Sequence, residues 1–254
     1  FAGGATVPEV AIIDGGPMMG FVSAPERPIT KTTKGLIVLP AEHRLVMRKT
    51  IDAPTATRNV RAVCCFCRYC TDLCPIYLLG HSLEPHRTTV AVSHNAAYDV
   101  PAITSAFLCV ECNVCHLYAC PLDLSPRRLY QALKPELAAR GVKNPHRRTD
   151  VLAHPQRDFR RIPTSRLRSR LGLDEYDVPA PRVQDRFSPK RVVLLLKQHV
   201  GAPAVPVVSV GDKVNTGDVV AEIPADALGA RIHASIDGTV TAVEPGQQVV
   251  IEAP

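Results

Sequence analysis

A multidomain α+β chain is the fold class that the sequence predicts, and three observations predict it. Short apolar, β-branched segments occupy both ends; a central stretch carries all nine cysteines, between Cys64 and Cys120; and the region from Arg191 alternates valine-rich runs with Gly, Pro, Asn and Asp. With 254 residues, 46% apolar and 21% charged, the chain is long enough for one large or two to three small domains, and a packed core needs no disulfide staples. Cysteines so clustered argue against a disulfide framework, which would spread its bridges. They argue for a metal site in a reducing compartment.

Residues 1–50 read as β-rich. "EVAIIDGGPMMG" is a short strand running into a Gly-Gly-Pro turn, and "KTTKGLIVLP" is a second strand stopped by Pro40. Two strands are too few to close a core of their own. Between the two cysteine blocks, residues 75–108 predict short helices and turns. After the second block Ser125 is placed to cap a helix with Pro126 at its first position; Leu129, Leu133 and Leu137 recur every four residues, and Gly141 is a stop. Pro135 is expected to kink or split that helix. The stretch up to residue 190, with "RDFRRIPTSRLRSRLGLDEYD", reads as a basic linker with one helical patch. Its arginines form either a docking face for an acidic partner or, the preferred reading, a solvated helix face. The last 64 residues, including "VPVVSVGDKVNTGDVVAEI" and "ARIHASIDGTVTAVEPGQQVVIEA", predict an internally duplicated β sandwich.

No apolar run approaches the roughly 20 residues of a membrane helix. The chain opens on Phe1 with no basic-then-apolar leader, and the missing methionine suggests either a processed start or, the preferred reading, a segment cut from something longer. A formal charge of +6 invites a nucleic-acid partner, but only Phe159 lies among the basic residues of the arginine-rich stretch, so no nucleic acid is expected. Two oxidised four-iron clusters with four thiolates each would also bring the charge down to roughly +2.

Cys64, Cys67, Cys70 and Cys74, followed by Pro75, fit C-x2-C-x2-C-x3-C-P, in which three thiolates take three corners of one [4Fe–4S] cube and the fourth reaches the other cube. "CVECNVCHLYACP" supplies the second run through Cys109, Cys112, Cys115 and Cys120. The pairing expected is Cys64, Cys67, Cys70 with Cys120, and Cys109, Cys112, Cys115 with Cys74. The last gap of the second run is four residues rather than three, so the turn before Cys120 must bulge; His116 is a conceivable substitute ligand, Cys120 the better one. Zinc is the alternative for C-x2-C pairs, though it rarely needs a third cysteine and a trailing Cys-Pro. Cys65 fits neither run and is expected to be a small buried side chain. Arg61 and Arg68 either raise a cluster's potential or face solvent. His81, His86 and His94 show no ligand spacing.

"GGPMMG", "KTTKGLIVL", the two Cys-Pro runs and "LKQHVGAPAVPVVSVGDKV" together resemble the family that joins the RnfC component of the Rnf electron-transport complex to the cobalamin reductases of propanediol-utilisation microcompartments. The resemblance covers nearly the whole chain. It implies the end of a β-grasp ligand-binding (SLBB) domain over 1–50, a helical ferredoxin domain with two [4Fe–4S] clusters over 51–145, a basic linker over 146–190 and a barrel-sandwich hybrid over 191–254. The hybrid closes the chain, which is the reductase order. The domain binding FMN and NADH should then lie upstream, outside this chain, with a corrinoid as electron acceptor. The partners implied are that flavin domain, a cobalamin adenosyltransferase and microcompartment shell or core proteins, with a cytoplasmic location. Rivals are an RnfC-type component serving membrane partners and a zinc-holding scaffold. Carrier domains of the hybrid's shape present a modifiable lysine between their halves; "PADALGA" (224–230) holds none, so neither biotin nor lipoate is expected. "FAGGATV" and "DGGPMMG" lack G-x-G-x-x-G spacing, so tight flavin or NADH binding by this chain is not expected.

Overall fold

The computed structural model describes residues 4–179 and 187–254, which fall into two compact units: 4–23 with 35–179, and 24–34 with 187–254. In the first, strand β1 (Val10–Asp14) lies between antiparallel neighbours β2 (Phe21–Ser23) and β3 (Leu36–Pro40). The β1–β2 turn needs glycine at Gly20, where a Cβ would lie 2.5 Å from the Gly16 carbonyl oxygen. Alternation along the strands turns Ile13 and Leu39 inward, against Leu45 and Val46 of helix α1 (Arg44–Thr50).

Helix α2 (Ala53–Val63) starts at Asp52, whose carboxylate accepts the Thr55 amide at 2.8 Å, and it delivers the chain to Cys64. Its buried face, Ala56 and Val60, packs on Leu124 and Leu129. Short helices α3 (Tyr69–Asp72), α4 (Pro75–Leu78), α5 (Pro85–Ser93) and α6 (Val100–Thr104) follow, the last three in the stretch 75–108 where short helices are predicted. Helix α7 (Pro126–Ala139) begins where Ser125 and Pro126 place it, although the Ser125 hydroxyl makes no capping bond, and Gly141 lies just past its end at φ +69°. The expected break at Pro135 does not occur. Leu129, Tyr130, Leu133 and Leu137 pack on both sides of the proline and carry the helix across it.

The basic stretch differs from the expected linker. Helix α8 (Thr164–Leu171) buries Leu171 in the core with Ile13, Leu39, Leu45 and Leu117, with Leu167 packed beside it. His43 accepts the Leu45 amide on Nδ1, which leaves Nε2 to donate to the Gly172 carbonyl at 3.0 Å. Upstream, the His154 amide donates to the Leu78 carbonyl at 2.9 Å, and a Cβ at Gly80 would lie 2.1 Å from the Leu152 carbonyl oxygen. The leucines at 167, 171 and 173 are a core-facing stripe that the flanking arginines mask in sequence.

In the second unit β4 (Arg191–Leu195), β10 (Gln248–Glu252), β9 (Gly238–Glu244) and β6 (Lys213–Val214) form one sheet, and β5 (Val205–Pro206), β7 (Val219–Glu222) and β8 (Ile232–His233) another. The described strands form two open sheets around one core that includes Leu196, Val220, Val240 and Ile251, without closing into a barrel. Both halves of the duplicated sequence contribute strands to both sheets. Asp212, Asp218 and Asp237 brace the turns by accepting backbone amides of Ser209, Asn215 and Thr216 at 2.6–2.7 Å.

Candidate metal centres

The two cysteine runs fold alike. Phe66 and Arg68 adopt φ of 54° and 53°; Glu111 and Asn113, at the same offsets from Cys64 and Cys109, adopt 56° and 67°. Two left-handed residues per run curl the chain so that its cysteines face inward. The runs close differently: the three residues before Cys74 belong to or follow α3, whereas Val114–Ala119 before Cys120 is a π-helix. A π-turn adds one residue to a helical turn, so it absorbs the extra residue and is the bulge that the four-residue gap requires.

Cys64, Cys67, Cys70 and Cys120 line one cavity, with Phe66, Arg68, His86, Leu122 and Leu124 among its walls. Cys74, Cys109, Cys112 and Cys115 line a second, walled by Ile76, Leu83, Val110, Arg127 and Tyr130 among others. Each cavity therefore draws three cysteines from one run and the closing cysteine of the other. His116 lines neither. Cys65, expected to be buried, is exposed at the rim of the first cavity, because the curl that turns Cys64 and Cys67 inward leaves the residue between them outside. Arg61 is tied away through its Nε–H to the Ser93 carbonyl, while Arg68 stays on the cavity wall. Of the histidines without ligand spacing, His86 reaches the first cavity and holds Thr71 Oγ1 with Nδ1 at 2.8 Å.

Burial dominates the thiol chemistry. It pushes Cys70 up to about 12, with the neighbouring Cys120, Cys64 and Cys67 adding to the rise, and Cys74 up to about 11; Cys109, Cys115 and Cys120 are raised for the same first reason. Backbone amides already point at sulfur: Glu111 N–H at Cys109 Sγ, 3.4 Å, and Leu124 N–H at Cys120 Sγ, 3.3 Å.

Beside the cavities lies a buried layer of cations that sequence reasoning missed. Arg48 and Lys49 are buried, Arg127 is nearly so, and Arg128 donates to the Lys49 carbonyl. Lys49 Nζ donates to the Met18 and Gly20 carbonyls at 3.1 and 2.5 Å; burial, then the charges of Arg127 and Arg128, lowers its pKa to about 8. His116 is buried with neither ring nitrogen bonded, and burial followed by the charges of Arg48 and Arg128 lowers it to about 3. Nε of Arg48, Arg127 and Arg128 and Oδ1 of Asn113 are likewise without partners. Two carboxylates pair with this charge and a third lies near it: Asp123 meets Arg44 at 2.5 Å, Arg170 at 2.9 Å and Arg48 at 3.4 Å, Glu111 meets Lys134 at 2.7 Å and Arg127 at 3.6 Å, and Asp52 is close enough to Arg128 for their charges to interact. Burial works against ionising Asp123 and Glu111, but these cations outweigh it and hold them below the ordinary carboxylate range. No sequence pattern signals such a layer, because its members come from separate elements.

The donor set fits iron–sulfur clusters. Among the described residues no three His, Cys, Asp or Glu side chains gather closely enough to hold a single metal ion. Four thiols around a cavity, with amides aimed at sulfur and surplus buried cations nearby, suit a larger anionic group, since an oxidised [4Fe–4S] cube with four thiolates carries about −2. No helix among the described residues is long and apolar enough to cross a membrane.

Fold and site define an iron–sulfur protein with an appended β module. Residues 63–125 match the model of the 4Fe-4S dicluster domain, and residues 179–252 that of the RnfC barrel sandwich hybrid domain. The chain belongs to the family of RnfC-like proteins that includes the cobalamin reductases. It is similar to the cobalamin reductase PduS of Salmonella typhimurium, 45% identical over 95% of this chain and 53% of that protein, and to the cobalamin reductase PduS of Citrobacter freundii, 42% identical over 98% and 55%. A component of the Na(+)-translocating ferredoxin:NAD(+) oxidoreductase complex of Acetobacterium woodii is 41% identical over 22% of this chain and 12% of its own. The chain thus spans about half the length of the two cobalamin reductases it matches.

Proposed function

We propose that this chain is the electron-transfer portion of an NADH- and flavin-dependent cobalamin reductase, an oxidoreductase that delivers single electrons to a corrinoid. In this reading Cys64, Cys67, Cys70 and Cys120 hold one [4Fe–4S] cluster and Cys74, Cys109, Cys112 and Cys115 a second. The observation that carries it is the exchange of closing cysteines between the two cavities, which leaves four thiols in each. Bound clusters would supply one-electron carriers, which a flavin reduced by hydride needs to release its pair singly. The chain's own residues do the rest. The curled runs place the thiolates, apolar walls exclude water, and the buried cations stabilise added negative charge. Strands β1–β3 are read as the end of a β-grasp domain, and the flavin and NADH sites are assigned to the half of the relatives' length that this chain lacks.

The test is elemental and spectroscopic. Anaerobically prepared chain should contain about eight iron and eight sulfide, with broad absorption near 400 nm that dithionite bleaches. It should bind neither FMN nor NADH tightly, yet pass electrons from dithionite to an added corrinoid. Stoichiometric zinc without sulfide would return the scaffold reading, and NADH oxidation by this chain by itself would refute the division of labour.

A further inference from the structure

The two cavities differ in how they meet the surface. Around the second, Cys74 and Cys115 are buried, and Glu111 is tied to helix α7 through Lys134, Gln131 and Arg127. Around the first, Cys65 and Cys67 are exposed, and Phe66 and Leu122 on its wall leave 58% and 43% of their surface in solvent, with Tyr69, 54% exposed, on the adjoining groove. Phe66 is the positional counterpart of Glu111. The left-handed turn at φ 54° serves the curl of the loop, yet the residue that occupies it is a bulky aromatic which lines the cavity and still leaves 58% of its surface in solvent. Large apolar side chains exposed at the mouth and on the groove beside it are surface of the kind that marks a protein partner.

Charge selects that partner. Next to the mouth, Tyr69, Tyr118 and Pro121 line a groove with Arg44, Arg166 and Arg170. The acids on this side are already shared between arginines: Asp72 between Arg68 and Arg160, Asp123 among Arg44, Arg48 and Arg170. The Arg166 side chain is exposed on the groove wall, and no carboxylate among the described residues pairs with it.

We propose that the mouth of the Cys64–Cys70 loop, with its arginine border, is the docking face for an acidic electron-carrying protein, which exchanges electrons through the first cavity. The proposal rests on the iron–sulfur reading above. Apolar contact at the centre would set orientation, and the arginines would speed encounter with a carboxylate-rich surface.

The experiment mixes anaerobic, loaded, dithionite-reduced chain, freed of excess reductant, with flavodoxin as an acidic probe, cytochrome c as a basic one and a small neutral quinone. With flavodoxin, one electron leaves the protein and the flavin takes it up with a proton from water. We expect its reduction to slow at least about tenfold between low and high salt. Arg166→Glu should slow it about tenfold more at low salt, with iron content and the quinone rate unchanged. Tyr69→Ser, in the groove beside the mouth and outside the cavity wall, should slow flavodoxin while retaining iron. A flavodoxin rate indifferent to salt and to Arg166→Glu, or a face that favours cytochrome c, overturns the docking proposal alone. Chain that carries no iron or sulfide overturns both it and the iron–sulfur reading.

Discussion

Raising the pH during cluster assembly should strengthen iron binding steeply, and by different amounts at the two sites. Iron takes thiolates, so every thiol that is protonated in the empty chain must shed its proton on loading. Burial lifts Cys70 and Cys120 in the first cavity, and Cys74, Cys109 and Cys115 in the second, above the ordinary thiol value of 9.0. Between about pH 7 and 9 loading should therefore release at least two protons at the first site and three at the second. That corresponds to a gain in the loading constant of at least about 100-fold and 1,000-fold per pH unit respectively. At about 1.36 kcal/mol per pKa unit, the rise of Cys70 to about 12 holds its proton by about 4 kcal/mol, and that of Cys74 to about 11 by about 3. The assay is anaerobic competition with a ferrous chelator in wild-type chain and in variants lacking one set of cysteines, with proton release followed by calorimetry in buffers of different ionisation enthalpy. A pH slope below about tenfold per unit at either site would refute the reasoning. In the empty chain the same raised thiols couple stability to pH. Folded pKa values lie above unfolded ones, so this stabilisation is whole below about pH 9 and is lost as the pH rises through about 11 and then 12. The loaded chain, with these thiols already ionised, should show no such loss.

Cys120→Ser should empty the first site and halve the iron, whereas Cys65→Ser should leave it unchanged; loss of all iron from Cys120→Ser would show that the sites do not load separately. Leu171→Ala should cost about 2–5 kcal/mol in urea melts of the first unit, since Leu171 is buried with Ile13 and Leu117; a cost below about 1 kcal/mol would remove α8 from the core. Lys49→Met should make the clusters harder to reduce, by up to about tenfold in the one-electron equilibrium or ~59 mV, in an EPR-monitored titration; an unchanged or raised potential would sink the assigned role of the cation layer. Intact mass after growth with biotin or lipoate ligase should show neither adduct, because residues 224–230 hold no lysine and Lys213 lies in β6, paired with Thr239 of β9.

What was legible in the sequence is what local rules control. Cysteine spacing and a following proline specify how a short loop wraps, and Leu129, Leu133 and Leu137 declare a helix by period. The masked features depend on partners far along the chain. Arg170 looks like one more solvated arginine until its guanidinium meets the Cys120 carbonyl at 2.6 Å and Asp123 at 2.9 Å. Likewise Lys49 reads as the polar end of α1, whereas the β1–β2 turn folds over it and accepts its hydrogen bonds on the Met18 and Gly20 carbonyls. Pro135 failed as a helix breaker for the same reason, since packing on both sides outweighed one lost hydrogen bond.

The cation layer and the exposed mouth bear on the same electron. Positive charge buried beside a cavity stabilises an electron placed there, whatever its source, while apolar surface at the mouth only shortens the path to a partner. Arg48 lies close enough to Cys120 for their charges to interact, and Arg127 lines the second cavity, so both sites share the electrostatic benefit. The geometric benefit is unequal, because only the first run exposes its central cysteine and its left-handed aromatic. An electron arriving at either site thus finds similar stabilisation, but a partner meets exposed cysteines and the Phe66 ring only at the first. Under the proposed function the second site is the inner station and the first the point of exchange with other proteins. A charge reversal at Arg166 should accordingly change encounter rates without moving either potential, whereas Lys49→Met should move potentials without changing encounter.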